Sequence, residues 1–422
     1  MTTGPAGRTM AEKILARATG SPGLRAGDDV LAAPDFVLAY VFGGFSKFPS
    51  LVGERFGVSQ LAEPERFALF LDHNIPVTDA RLESRIPGIK AWCAAMGVAV
   101  YDGDGIGHVV ACEAGYATPG AFAVHFDGHV SQLGAFGTLA IGVHLGIYEA
   151  FARPAMALRV PETVQVRLTG ALRPGVFARD VVHHLIHRHG ADFCNSRVLE
   201  LGGPGLGSLS LDDLQTITGL AMFTGALTAI AEPTPAALAY AAPRARKRLA
   251  PVFPDADARY SAGYACDLAE VDTFVAAPPS SANLAPLSTL LGRPIQVGYL
   301  GSCVSGRLSE LRVAARMLKG RRIAPGFVLN VVPSTASIAR EAETEGLLQV
   351  LSEAGASLSP STCSFCYGAV GALTDGQRAI SSGTLNIPGR MGSPRAEIYL
   401  ANAAVVAATA LAGEIADPAL YL

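Results

Sequence analysis

Short β-rich runs alternate with longer helical patterns along most of the chain. "VGYLGS" at 297 is followed by "RLSELRVAARMLKG" at 307, then "GFVLNVVP" at 326 and "IAREAETEGLLQVLSEAG" at 338. That alternation is the signature of βαβ units and a mostly parallel sheet, so an α/β fold is predicted. At 422 residues the chain exceeds the size at which single cores stop growing, and roughly two or three packed sub-domains are expected. The stretch 274–292, rich in Pro, Ser and Ala, is the best candidate linker. It divides the chain near 286, into residues 1–285 and 286–422.

Half of the residues are apolar and only 16% are charged, which implies much buried surface. A formal charge of -3 argues against a general nucleic-acid binder, and the one basic run, "PRARKR" at 243–248, reads as a solvated loop or docking edge. The N-terminal segment has no apolar core followed by a small-residue cleavage site, so the chain is expected to be cytoplasmic. The Ala-rich stretch 401–413 is too short to span a bilayer and reads as a buried helix.

Seven cysteines, an odd count, argue against a disulfide framework and leave metal, catalytic or packing roles. Cys363 and Cys366 form a lone CxxC in "STCSFCYG", while Cys303 follows a predicted strand in a small-residue turn that opens a helix. Ligand sites in open parallel sheets lie at the carboxyl ends of strands, so these three could meet at one sheet edge. Structural zinc sites and cubane clusters normally take four protein ligands, and three leave one position open. An open iron is a Lewis acid suited to adding or removing water, whereas the plain alternative for a lone CxxC is buried packing. Cys93, Cys112, Cys194 and Cys266 are isolated and read as structural.

"GSCVSGRLSELRVAARMLKGRRIAPG", "TCSFCYG" and "GRMGSPRAEIYLANAAVVAATALAGEIADP" resemble consecutive segments of the aconitase superfamily. "TMAEKILAR", "DHNIP", "DGIGHVV", "GHVSQLGAFGTLAIGV" and "RVPETVQVRLTGAL" precede them in the family's order. The chain is similar in particular to the large subunits of isopropylmalate dehydratase-type enzymes, as a divergent member. The resemblance implies three α/β/α domains around a cleft that holds a 4Fe-4S cluster, without the swivelling fourth domain. Cys303, Cys363 and Cys366 would be its ligands, and the fourth iron would be open to water or substrate.

Asp72 and His73, His108, and Asp127 and His129 stand where the superfamily keeps its active-site Asp and His residues. Asp–His pairs suit proton transfer because the carboxylate fixes the imidazole tautomer and charge. Ser305, Arg307 and Arg390 match positions expected to bind substrate, a guanidinium fork being suited to a carboxylate. Departures are as informative. Gly128 and Val130 replace hydroxyl residues beside His129, and Val304 and Ser305 stand in the CTNGR-type turn. The run Thr384, Leu385, Asn386, Ile387 lacks the family's arginine, Gly219 and Phe223 stand for Asn and Glu, and Tyr40 and Val41 replace a polar pair. A pocket that loses a guanidinium, a carboxylate and hydroxyls would leave a tricarboxylate uncompensated. A hydroxy acid less charged than citrate, such as an alkylmalate-like compound, is expected.

The first expectation is therefore a 4Fe-4S hydro-lyase or isomerase. A cluster-bearing regulatory or nucleic-acid-binding homologue, or a same-fold enzyme with another reaction, are the rivals. After the cluster segment the sequence already matches the end of the large-subunit pattern, so a separate small subunit is expected to complete the site. His183 and His187 in "HHLIHRHG" share a helix face, which could bind a metal, but no acidic partner lies nearby, and a solvated or subunit-facing helix is the expectation.

Overall fold

The structure, a computed structural model, describes residues 7–41, 51–73, 75, 77, 80–383 and 385–422. Three parallel or mostly parallel sheets carry the chain, as the βαβ alternation predicts. The first runs Ala99–Asp102, Phe67–Leu71, Phe36–Tyr40, Phe122–His125, Leu139–Gly142, with every pair parallel. Its middle strand comes first in the sequence, so the chain winds outward in both directions from Phe36–Tyr40. Crevices at such a switch point open at the carboxyl ends of the strands. Asp72, Gly105–His108 and Asp127 all follow carboxyl ends of this sheet.

The second sheet is parallel throughout, in the order Thr228–Ala231, Val198–Gly202, Thr163–Thr169, Ala262–Asp267. The third contains Leu284–Pro286, Phe274–Ala276, Glu397–Leu400, Arg378–Ser381, Val297–Gly301, Val328–Val332 and Ser357–Leu358 in that order. Five of its strands are parallel and repeat the doubly wound pattern about Val297–Gly301. The other two are antiparallel and close one edge. They lie within the Pro-, Ser- and Ala-rich stretch expected as a linker. Proline is tolerated at a sheet edge, where its missing N–H disturbs no central ladder, so a composition that reads as linker here builds a hairpin.

Helices follow their sequence signals. In Leu308–Leu318 the apolar face Leu311, Ala314, Ala315, Met317 and Leu318 is buried, and the Glu310 carboxylate accepts the Arg307 N–H at 3.0 Å. The Ala-rich segment forms Ala403–Ala412, buried nearly throughout; the Asn402 side chain accepts from Val405 N–H, and Gly413 takes the left-handed φ of 77° that ends it. No helix among the described residues is long and apolar enough to cross a membrane.

The first and third sheets are stitched together at their carboxyl edges. Ile106 and Ala336 N–H groups donate to Ser334 and Asp104 carbonyls at 2.9 and 2.8 Å, and Gly105 pairs with Thr335. A side chain at Gly105 would lie 2.5 Å from the Thr335 Cα, so only glycine permits this approach.

Candidate active site and metal centre

The strand Val297–Gly301 runs directly into Ser302 and Cys303, whose φ angles of 79° and 43° are left-handed without either being glycine. Such backbone persists only where its surroundings hold it. Beyond Ser357–Leu358, Cys363 precedes the single turn Ser364–Tyr367 and Cys366 lies within it. The three sulfurs converge: Cys363 and Cys366 lie 2.9 Å apart, Cys303 and Cys363 3.2 Å, Cys303 and Cys366 3.9 Å. All three are buried, and among the described residues they form the one group of His, Cys or carboxylate side chains able to hold a metal. Hydrogen bonds from the Cys303 and Cys363 thiols draw Cys366 well below the usual thiol range, and the Arg390 and His73 charges reinforce them against burial. A buried soft-donor triplet with no fourth ligand among the described residues fits an iron-sulfur group with one corner free. The other four cysteines are buried singly, and burial pushes each thiol up, Cys93, Cys112 and Cys194 to about 12.

The Asp–His residues gather beside this triplet. Asp72 directly follows its strand; its carbonyl accepts the Cys363 N–H at 3.0 Å and the Thr362 hydroxyl at 3.2 Å. Its carboxylate takes Gly107 N–H at 2.7 Å and meets His73 Nδ1 at 2.6 Å. Asp127 caps the helical turn Gly128–Phe136, and its Oδ1 meets both the backbone N–H and Nδ1 of His129 at 2.7 Å. Burial lowers both imidazoles, but their aspartates outweigh it and the net shift is upward at His73 and His129. No carboxylate among the described residues hydrogen-bonds His108; burial takes it down to about 3, and its Nε2 lies 3.2 Å from the Cys303 carbonyl. Its ring stacks 5.8 Å from that of His129.

Arg390 Nη2 donates to Cys366 Sγ at 3.6 Å, and its buried Nε and the buried His129 Nε2 have no partner among the described residues. Both therefore retain hydrogen-bonding capacity at the centre. Arg307 sits elsewhere. It is 1% exposed, donates to Gln215 Oε1 at 2.9 Å and to Gln132 Oε1, and lies behind the cysteine loop. Ser305 likewise spends its hydroxyl on Glu310 and Ser382, at 2.9 and 2.7 Å.

Gln132, which carries no role in the sequence reading, and Tyr40, named there only as a replaced polar residue, join the centre. Gln132 Nε2 donates to the Cys303 carbonyl at 3.2 Å. Tyr40, ending the central strand of the first sheet, places its ring 4.4 Å from His73 and 5.4 Å from His125 and Phe126. Burial and the Asp127 and Asp72 charges keep its phenol protonated. The position of Tyr40 at a strand end beside the switch point was the available signal; Gln132 had only its place three residues beyond His129. Phe223 is buried in the core shared by the first two sheets, and Leu385 packs against the same core; Thr384 lies outside the described residues. His183 proves buried rather than solvated: its Nδ1 lies 3.2 Å from the Phe274 carbonyl. Helix Ala178–His189 has neighbours on that face because the edge hairpin of the third sheet packs there.

A thiol triplet at the switch point of one parallel sheet, facing Asp–His pairs at the switch point of another, defines a metal-dependent class of α/β protein. The family model that matches is the aconitase family (aconitate hydratase), over residues 58–294 and 288–413, and the chain belongs to that family. The 3-isopropylmalate dehydratase large subunit 1 of Methanopyrus kandleri is 35% identical over 99% of this chain and 100% of its own. Large subunit 2 of Rubrobacter xylanophilus is 36% identical over 97% of each chain, and the Aquifex aeolicus large subunit 34% over 98% and 97%. Among solved structures, holo aconitase X of Thermococcus kodakaraensis aligns at a TM-score of 0.48 and 12% identity over 88% of each chain. With the family comes the enzyme class, a hydro-lyase of the aconitase and isopropylmalate dehydratase type.

Proposed function

We propose that the chain is the large subunit of a 4Fe-4S-dependent hydro-lyase or isomerase that dehydrates, and can rehydrate, a hydroxy acid less charged than citrate, of alkylmalate type. The observation that carries this reading is the convergence of Cys303, Cys363 and Cys366 with the Asp72–His73 and Asp127–His129 pairs at one place. When bound, such a cluster supplies a Lewis acid at its protein-free corner for a substrate hydroxyl. The Asp127 carboxylate holds the His129 Nδ1 proton, so Nε2 is the atom left to hydrogen-bond an incoming group. Asp127 raises the pKa of this imidazole, which favours its holding a proton for a departing hydroxyl. The Asp72–His73 pair offers the same chemistry from the neighbouring strand. His108, held neutral, steadies the Cys303 carbonyl. Arg390, with a free Nε, suits one substrate carboxylate.

Tyr40, whose ring lies 4.4 Å from that of His73, adds aromatic surface at the centre and supports a substrate with an apolar arm. The relatives carry the name large subunit, which supports a separate small subunit that completes the site. An assay of anaerobically reconstituted protein, with and without that subunit, against alkylmalates, citrate and isocitrate tests the reading. Turnover of alkylmalates only in the complex is expected; efficient turnover of citrate overturns the substrate assignment, and full activity of the isolated chain overturns the need for a partner.

A further inference from the structure

We infer that Gln132, Gly219 and Arg307 form a single clamp that positions Cys303, so that one apparent loss in this chain, the side chain at Gly219, is the room the clamp needs. The role toward the cluster rests on the reading above; the clamp itself is a matter of packing.

The Gln132 side chain is fully buried between helix Leu211–Gly219 and the cysteine loop. A β-carbon at Gly219 would fall 2.5 Å from Gln132 Cγ and 2.9 Å from Val304 Cγ1, distances that real side chains do not tolerate. Any larger residue there would expel the Gln132 side chain. The amide also has one orientation. Its Oε1 accepts from Arg307 Nη2, and a guanidinium has no acceptor, so a flipped amide would set N–H against N–H. Arg307 is in turn fixed by Gln215 Oε1 at 2.9 Å. With Oε1 committed, Nε2 faces the Cys303 carbonyl at 3.2 Å, which His108 Nε2 approaches from its own side at 3.2 Å. Thr216 Oγ1, on the same helix as Gly219, meets the Val304 carbonyl at 3.5 Å. These contacts surround the residue whose φ of 43° is unfavourable for a side chain. Released, Cys303 would relax to negative φ and carry its sulfur away from Cys363 and Cys366. Gln132, Gly219 and Arg307 are thus positioning residues that need not touch substrate.

The test uses the full chain, chelated and reduced under anaerobic conditions, with iodoacetamide labelling followed by peptide mass spectrometry. Gln132→Met keeps the volume and loses both hydrogen bonds. Its Cys303 should label about tenfold faster than wild type, the factor that one lost hydrogen bond supports, with Cys194 and Cys266 unchanged. Iron of the reconstituted variant should pass to a chelator faster by a similar factor. Gly219→Ala should lower the melting temperature, and adding Gln132→Ala should restore most of it while Cys303 stays reactive. Equal labelling of Cys303 in wild type and Gln132→Met, or a parallel rise at Cys194 and Cys266, overturns the clamp. Failure of Gln132→Ala to relieve Gly219→Ala overturns the packing. If wild-type protein takes up no iron, the cluster reading falls while the labelling ratio still decides the clamp.

Discussion

Asp127, partly exposed, and Asp180, fully buried, end on opposite sides of the ordinary carboxylate range. Burial pushes each up. At Asp127 the charge and hydrogen bonds of His129 overturn that push, and the carboxyl falls well below its usual value. At Asp180 the Phe177 N–H at 2.9 Å and the Asn402 amide at 2.8 Å are not enough, and the carboxyl rises to about 7. The histidines mirror them. His129 is raised by its aspartate, whereas His183, which meets only a carbonyl and the Arg179 charge, is pushed down to about 3 chiefly by burial. Helix Ala178–His189 holds four histidines and no candidate metal group among the described residues. A proton-handling site is made by a matched partner, and density of titratable groups does not substitute for one.

The largest contrast is expected in turnover. Asp127→Asn should lower kcat of the complex by about 10²–10⁴-fold, the usual worth of a positioned acid–base group, while Asp180→Asn leaves it within about twofold. Equal losses in the two variants, measured by steady-state kinetics, would dissolve the distinction. The next contrast is in stability against pH. The folded state keeps the Asp180 proton up to about pH 7, while the unfolded chain releases it near the ordinary aspartate value of 3.8. Between those values the folded state binds more protons, so wild type loses stability as pH rises through this window. Relative to Asp180→Asn, the loss should approach about 4 kcal/mol above pH 7, from roughly three pH units at 1.36 kcal/mol each. Denaturant unfolding of both proteins at pH 5 and pH 8 checks the sign; a gap that does not change with pH contradicts it. The smallest effect belongs to His187, whose ring lies 4.5 Å from Phe274 at the surface. His187→Ala should cost about 1 kcal/mol or less and leave iron content and turnover unchanged. A drop in bound metal would show that the histidine helix is a metal site after all.

Local pattern made the parallel sheets, the capped helices and the Ala-rich core helix legible, because each follows from residues adjacent in sequence. The thiol triplet was legible for a related reason, since strand ends in doubly wound sheets point to one crevice, whereas the Asp–His pairs were legible only through the order of motifs the chain shares with the aconitase superfamily. The edge hairpin at 274–286 was hidden because Pro and Ser read as linker until a neighbouring strand, Glu397–Leu400, is known to lie beside Phe274–Ala276. Arg307 reads as a substrate contact until Gln132 and Gln215, both distant in sequence, are seen to occupy its guanidinium. Gly219 reads as a lost side chain; only the approach of Gln132 shows what fills the space. Each of these depends on contacts between segments that no periodicity records.

The hydrogen bond from the Thr362 hydroxyl to the Asp72 carbonyl spans 290 residues of chain. Closing so large a loop costs conformational entropy before any contact across it can repay the loss. The two flanks of the crevice therefore cannot organise one another early: the first sheet can wind on its own, but the segment after Leu71 gains its seat on Thr362, Cys363 and Ser364 only once the third sheet has formed. Damage in the third sheet therefore reaches Asp72 as the loss of the surface on which it rests.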